Sequence, residues 1–369
     1  MIIIKGQYSE AKVFTSELEN KAREQIQTLT DQPFTKGTHI RIMPDVHAGA
    51  GCTIGTTMRV RDQIVPNLVG VDIGCGMLTT KLRERDIDFL QLDRLIRDEI
   101  PSGFAIRRTP HPFSEEANVN ALRCREGGKN DARLDIERAQ VSIGTLGGGN
   151  HFIEVNCDDE GSLYLVIHSG SRNIGLQVAL HYQRKAAKIS SHQPRGLEYL
   201  EGTLKEDYLH DMRLMQRYAL INRSAMADII IQGMNLEVQE QFSTIHNYID
   251  IDQMILRKGA VSAKKGEKIL IPLNMRDGSL LCIGKGNPDW NESAPHGAGR
   301  VMSRTQAKKE LSMRDFHESM KGVFSTSVKK STLDEAPMAY KNEEHLLEYL
   351  HETCDIICKL KPLYNYKSG

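Results

Sequence analysis

The feature that most restricts this chain is where its histidines, cysteines and aspartates fall relative to its glycines. Three β-rich stretches, at 39–80, 144–175 and 244–299, set these residues in glycine-punctuated loops next to short apolar runs. VGVDIGCGM places Asp72 and Cys75 three residues apart, GGGNHFIEV places His151 close behind three glycines, VIHSGSRNIG places His168 at the end of an apolar run, and HNYID supplies His246. Glycine allows backbone bends that other residues resist, so such turns can aim a carboxylate, a thiolate and several imidazoles at one centre. The stretches come from all thirds of the chain, with no linker, repeat or low-complexity segment between them. The pattern therefore predicts one integrated domain over 1–369 rather than a string of modules.

Between these stretches the hydrophobic period turns helical. Residues 9–29 place Leu18, Ala22, Ile26 and Leu29 on one face, and 86–99 run through Ile87, Leu90, Leu95 and Ile96. Most of 176–233 is helical in period, as are 302–320 and 343–358. Residues 1–6 read as an edge strand and 361–369 as a strand-like tail. The polar segment 107–138, broken by Pro, Gly and Asn, reads as a surface excursion or part of a substrate lid. The expected class is a mixed α/β (α+β) fold with central antiparallel-rich sheets flanked by helices. Cys354 and Cys358, four apart in the expected C-terminal helix, read as reduced core.

Composition narrows the function classes. Lys+Arg and Asp+Glu both number 48, so any nucleic-acid site needs a local positive field. Arg172, Arg257, Lys258, Arg300, Arg304, Lys308 and Lys309 are the candidates for such a phosphate track. No segment approaches the roughly 20 apolar residues of a membrane span. Seven cysteines at irregular spacing argue against a disulfide framework and for a reducing, cytoplasmic setting. No Walker loop and no RNP-like stacking motif is present.

Asp72, Cys75, His151, His168 and His246 form an O/S/N donor set suited to a borderline divalent ion: Mn²⁺, Zn²⁺, Fe²⁺ or Co²⁺. A bridging thiolate would let two ions clamp phosphate oxygens. Each residue also has a plainer reading, because cysteine is among the most buried residue types and strand-end histidines are often only hydrogen-bonded. The joint pattern favours a site: four of the five sit beside glycine, Asn or Ser in a polar loop. SAPHGAGRVMSR (293–304) adds His296 before a glycine-rich turn, with Arg300 and Arg304 at helical spacing. Such a turn offers N–H groups to phosphate, and a neutral histidine there can attack phosphorus. A solvent-facing histidine beside a basic helix face fits these residues equally well.

MPDVHAGAGCTIG (43–55), VGVDIGCGM, GTLGGGNHFIEV, VIHSGSRNIG, HNY, RKGAVSA (257–263), HGAGRVMSR and DEAPMAYK (334–341), in this order, resemble the RtcB RNA ligases across nearly the whole chain. That family joins RNA with a 3′-phosphate or 2′,3′-cyclic phosphate to RNA with a 5′-hydroxyl. The resemblance implies GTP and two Mn²⁺ ions as cofactors, and broken RNA ends (tRNA halves, or cleaved rRNA or tRNA) as partners. It places Asp72, Cys75 and His151 on one ion, and Cys75, His168 and His246 on the other. His296 becomes the residue that takes GMP. Lys258, Arg300 and Arg304 join it as catalytic candidates on phosphate and RNA. Around the guanine nucleotide it places Asn150, His151, Phe152, Ile153, Glu154, His246, Asn247, Pro272, Leu273, Asn274, Met275, Ser279, His296, Gly297, Ala298, Gly299 and Lys367. Glu154 suits the guanine edge, since a carboxylate accepts from both donors there. The chain departs from the family at PLNMRDGS (272–279), where PGSMG is usual, and at its YKSG tail, where VKG is usual. The competing readings are a dinuclear metal phosphoesterase that trims RNA cyclic phosphates, and a non-catalytic RNA-binding protein.

Overall fold

The centre of the protein is a seven-stranded antiparallel sheet, and the computed structural model describes residues 1–126 and 134–368 around it. Across the sheet run Lys268–Asn274, Gly278–Gly284, Cys354–Lys367, Phe152–Cys157, Leu163–Ser169, Gly76–Leu82 and Val238–Ile245. Leu163–Ser169 is buried at every position, as expected of a strand covered on both faces. The 14-residue strand Cys354–Lys367 pairs first with Gly278–Gly284 and then with Phe152–Cys157. Its register slips between Pro362 and Tyr364, where proline cannot supply a ladder donor and the sheet curls.

A six-stranded sheet lies beside it in the order Ile2–Lys5, Glu10–Val13, Ile40–His47, Ile54–Arg59, Ile255–Lys258, Asn247–Asp250. A two-stranded ribbon joins Ala260–Ser262 to Ser293–Pro295. This is the mixed α/β class expected, with helices flanking antiparallel-rich sheets. Among the described residues, no helix is long and apolar enough to cross a membrane.

Local boundaries differ from the periodicity in instructive places. Residues 9–29 hold a strand, Glu10–Val13, before the helix Asn20–Thr30, because Ala11 and Val13 alternate inward against Ile40 and Ile42. The region 302–320 splits into Arg304–Glu310 and Met313–Ser319, and Ser312 caps the second helix by accepting from Asp315 N (3.1 Å). The helix expected over 343–358 stops at Leu350. From Cys354 the chain pairs with Gly278–Gly284, so Cys354 and Cys358 are strand residues, the first buried and the second partly exposed. Residues 107–126 are pinned rather than loose: Arg123 N and Cys124 N donate to the Asp211 carboxylate at 2.7 and 2.8 Å. The rest of the proposed excursion, 127–133, lies outside the described residues.

Two helices, Arg172–Ile189 and Gly202–Met234, occupy most of the span expected to be helical. The longer one carries two adjacent polar residues that are fully buried, Asn222 and Arg223. Asn222 Oδ1 accepts from Gly144 N (2.9 Å) and Thr145 N (3.1 Å), and its Nδ2 donates to Thr145 O (3.1 Å) and Gly170 O (3.3 Å). Arg223 Nη1 donates to Gly74 O (2.9 Å) and Ser169 O (2.8 Å). Gly74 sits at φ +73°, and a Cβ there would come within 2.9 Å of Gln216 Cα, so the helix packs directly on the loop backbone. Asn222→Ala leaves two buried N–H groups without an acceptor. It is expected to cost about 2–4 kcal/mol, read as a lower urea midpoint at unchanged slope.

Candidate metal centre and nucleotide cleft

The antiparallel register brings the distant Cys and His residues to one end of the sheet. His168 lies opposite Phe152 on one side and Met77 on the other, and Gly76 lies opposite Ile245. His151, Cys75 and His246 are the residues next to these partners, so four strand ends converge. The loops also bond to one another: Gly74 N donates to Asn247 O (2.8 Å) and His246 N to Cys75 O (2.9 Å).

Cys75 Sγ lies 3.3 Å from His168 Nε2 and 3.5 Å from His151 Nε2. His151 Nε2 is 3.1 Å from Asp72 Oδ2, and His168 Nε2 is 3.4 Å from His246 Nε2. Asp72, Cys75 and His151 form one group with donor atoms mutually within 4.8 Å, Cys75, His168 and His246 form a second, and Cys75 belongs to both. His151 Nδ1 is 2.9 Å from Leu146 O and His168 Nδ1 is 3.2 Å from Asn150 O. Each Nδ1–H therefore donates outward, leaving the Nε2 lone pairs facing the thiol and one another. Lone pairs packed together in this way suit a cation between them, and the soft and borderline donors suit a transition-series ion. Burial keeps His168 and His246 neutral, their pKa values well below the usual imidazole value. Burial and the Asp72 carboxylate push the Cys75 thiol well up. Asp72 itself is held down at about 2: burial opposes this, and contact with the His151 ring and the Cys75 thiol, with the Arg172 charge, outweighs it.

Beside this centre opens a cleft of about 270 Å³. His168 and His246 form its floor, and His296 stands next to His246, ring centroids 5.1 Å apart. His296 Nδ1 is 2.6 Å from Asp45 Oδ2, and His296 N donates to the same oxygen (3.1 Å). Asp45 is fully buried on Ile40–His47. With Nδ1–H bound to a carboxylate, the lone pair of His296 rests on Nε2. Gly299 is at φ +77°, and a Cβ there would meet Asp45 O at 2.9 Å, so only glycine lets the turn pass so close.

Most of the residues anticipated around a nucleotide line this cleft. Asn150, Phe152 and Glu154 face it from one side, Pro272, Leu273, Asn274 and Met275 from another, and Gly297, Ala298 and Gly299 from the turn after His296. Arg300, Arg304 and Lys367 complete the polar rim. Burial raises the Glu154 carboxyl to about 7, only partly offset by the Asn365 amide (2.6 Å) and the Lys367 charge. Lys367 Nζ also donates to Glu335 Oε2 at 2.6 Å. Although burial opposes it, the charges of Lys367 and Arg304 hold the Glu335 carboxylate below its usual value.

Other anticipated residues sit elsewhere. Ile153 points into the core, because strand residues alternate and its neighbours Phe152 and Glu154 take the cleft face. Ser279 is fully buried behind Pro272. Asn247 holds the backbone instead, accepting from Gly259 N (3.0 Å) and donating to Asp72 O (3.4 Å). His151 lies behind the cleft with the metal donors. Lys258 is buried and donates to Cys52 Sγ (2.7 Å) and Asn67 O (2.9 Å). Arg257, fully buried, donates to Ser293 Oγ (2.8 Å) and Tyr248 Oη (3.0 Å). Both belong to an interior strand, buried at each of its positions, so neither contributes to an exposed phosphate track. Lys308 is paired with Asp334 (3.2 Å). Conversely, Asp45, His47, Tyr340, Glu335 and Asn365 belong to the site without having been singled out. Asp45 lay within a quoted motif, but nothing in its spacing pointed to a histidine 251 residues away.

Residues 25–368 match the family described as tRNA-splicing ligase RtcB. The chain is 33% identical to an RNA-splicing ligase RtcB of Escherichia coli K12, covering 93% of each protein. It is 28% identical to the RNA-splicing ligase RtcB2 of another Escherichia coli strain, over 95% of this chain and 93% of the relative. A tRNA-splicing ligase RtcB of Archaeoglobus fulgidus is also 28% identical, over 94% and 91%. A match over nearly the full length, on a chain whose strand ends assemble two overlapping donor groups beside an aspartate-held histidine, places this protein in the RtcB family of RNA ligases.

Proposed function

We propose that this RNA ligase uses GTP and two Mn²⁺ ions to join an RNA 3′-phosphate or 2′,3′-cyclic phosphate end to a 5′-hydroxyl end, in tRNA splicing or repair of cleaved RNA. The observation that carries the reading is the Asp45–His296 pair at 2.6 Å, standing in a cleft against the two-group donor set. Asp45 fixes the tautomer and supports the positive charge His296 acquires as Nε2 attacks the α-phosphorus of GTP and pyrophosphate leaves. The RNA 3′-phosphate then takes the GMP from His296, becoming an activated end. The 5′-hydroxyl attacks that end, closing the phosphodiester and releasing GMP.

Ions held by Asp72, Cys75 and His151 and by Cys75, His168 and His246 would act as Lewis acids on phosphate oxygens. Arg300 and Arg304 flank the cleft mouth, but both are tied to the 334–335 segment: Arg300 Nη2 donates to Asp334 O (2.6 Å) and Arg304 pairs with Asp334 (2.8 Å) and Glu335 (2.6 Å). They serve as preset phosphate clamps rather than mobile ones. Glu154 and Asn365 face the guanine edge, with Pro272 to Met275 as the wall on which the base lies.

α-Labelled GTP with Mn²⁺ should leave an acid-labile GMP on the wild-type protein and none on His296→Ala. Asp45→Asn is expected to slow labelling about 10²- to 10⁴-fold by misplacing the proton on the ring. Cleavage of cyclic phosphates with no labelled protein would instead establish a phosphoesterase.

Metal content is a second test. After Mn²⁺ loading and desalting, mass-spectrometric metal analysis should find two ions in the wild type. His151→Ala and His246→Ala should each retain about one, and Cys75→Ala, which removes the shared ligand, should retain almost none.

The third test is pH dependence. The Glu154 carboxyl, at about 7 against an ordinary 4.5, is protonated in the free protein below neutrality. Folding favours its protonated form, so its contribution to stability falls as pH rises from 4.5 toward 7. Accepting two guanine donors needs the carboxylate, so GTP affinity should strengthen as pH rises through about 7. Glu154→Gln should flatten that profile and lose preference for GTP over ATP; an unchanged profile in the variant would remove Glu154 from base recognition.

A further inference from the structure

Near the metal centre, loop 101–107 is tied down unusually well for a surface segment. Leu146 N donates to Pro101 O (2.9 Å), Gly103 N to Gly147 O (2.9 Å) and Arg107 N to Val141 O (3.0 Å). Arg172 Nη2 donates to Gly103 O and Arg138 Nη2 to Phe104 O, both at 3.2 Å. Yet Phe104, at the tip of this pinned backbone, is 97% exposed. Isolated apolar side chains are ordinary on protein surfaces. A phenyl ring standing wholly in water on a loop held by five hydrogen bonds contributes nothing to packing, so the ordering serves something outside the fold.

Its surroundings identify what. Gly103 Cα lies 3.8 Å from where a Cβ at Gly148 would be, and Arg304 Nη2 lies 4.0 Å from that position at Gly149. Asn150, next along, already lines the cleft. With Cα atoms about 3.8 Å apart, the loop stands on the order of 10 Å from the cleft wall. On its other side, Arg172 bridges the loop to the metal donors, its charge acting on Asp72. Arg138, bonded to the carbonyl of Phe104 itself, adds further positive charge to the loop. Guanidinium groups that track a phosphodiester backbone, around one aromatic face open to any base, are the elements of sequence-tolerant single-strand binding. A protein partner would call for a wider apolar surface than one ring.

We infer that Phe104 is a stacking platform for a base near the reacting end of the RNA strand that enters the metal centre. The identity of the strand rests on the ligase reading above; the platform itself rests on loop geometry and charge.

The experiment titrates Mn²⁺-loaded protein into a single-stranded, 3′-phosphorylated RNA carrying 2-aminopurine near its 3′ end. Stacking on the ring quenches the fluorescence. Wild type and Phe104→Trp should quench and bind alike, whereas Phe104→Ala should lose the quench and bind roughly tenfold more weakly. Attachment of GMP in the absence of RNA serves as the control for a structural effect. Wild-type affinity and quench in Phe104→Ala would overturn the platform, as would an equal loss of RNA binding and RNA-free GMP attachment. A wild type that quenches but never joins ends refutes the ligase reading and leaves the platform standing; one that does not bind the RNA refutes both.

Discussion

Deep in the protein, consecutive residues of Gly202–Met234 put an amide and a guanidinium against the three loops that carry Asp72, Cys75, His151 and His168. Burying a guanidinium without a directly paired carboxylate is costly. Here two backbone carbonyls, and the nearby Asp72 and Cys75, offset the loss of water. Burial lowers the Arg223 pKa only to about 10, so it remains a cation at neutral pH. An ion bound at Cys75 would have to expel a proton from its thiol, which burial pushes up. A fixed positive charge behind that sulfur favours the thiolate the ions require. One helix thus sets both the spacing of the donors and the charge they bear.

The cleft depends on that arrangement and adds its own. His168 and His246 belong both to the candidate donor set and to the floor against which His296 stands, so the donor set and that histidine share walls. Around the rim, charges are already partnered. Glu335 takes Lys367, Arg300 and Arg304, and Tyr340 donates to it at 2.8 Å. Such a network holds its cations in place before a phosphate arrives, which lowers the ordering cost of binding.

The candidate donor set was legible because its members fall in polar, mostly glycine-punctuated turns next to apolar runs, and the antiparallel register needed only to align those strand ends. His296 was ambiguous from its residues alone. The family resemblance of the surrounding motifs gave it an expected role, and the folded structure gave it a partner in Asp45. That Lys258 and Arg257 are buried was not legible, because charge in a sequence carries no burial information, and both lie on an interior strand. The C-terminal helix was overextended for a related reason: the apolar residues after Leu350 fit a helical period, but Gly278–Gly284 offered an open ladder and tertiary pairing won. Asn222 and Arg223, which hold these loops together, carry no signal in the helical period of 176–233 that would set them apart.

The strand Cys354–Lys367, which links the two halves of the larger sheet, has a consequence for how this protein comes into being. It brings Asn365 to Glu154 across 211 residues, while His296 reaches Asp45 across 251. Contacts of such separation repay their loop-closure entropy only late, so folding is slow and the route exposes unpaired strand edges. Neither the cleft nor either donor group is assembled by one short fragment, since each needs side chains from distant parts of the chain. Chemistry appears in this molecule all at once, with the last pairing of its sheet.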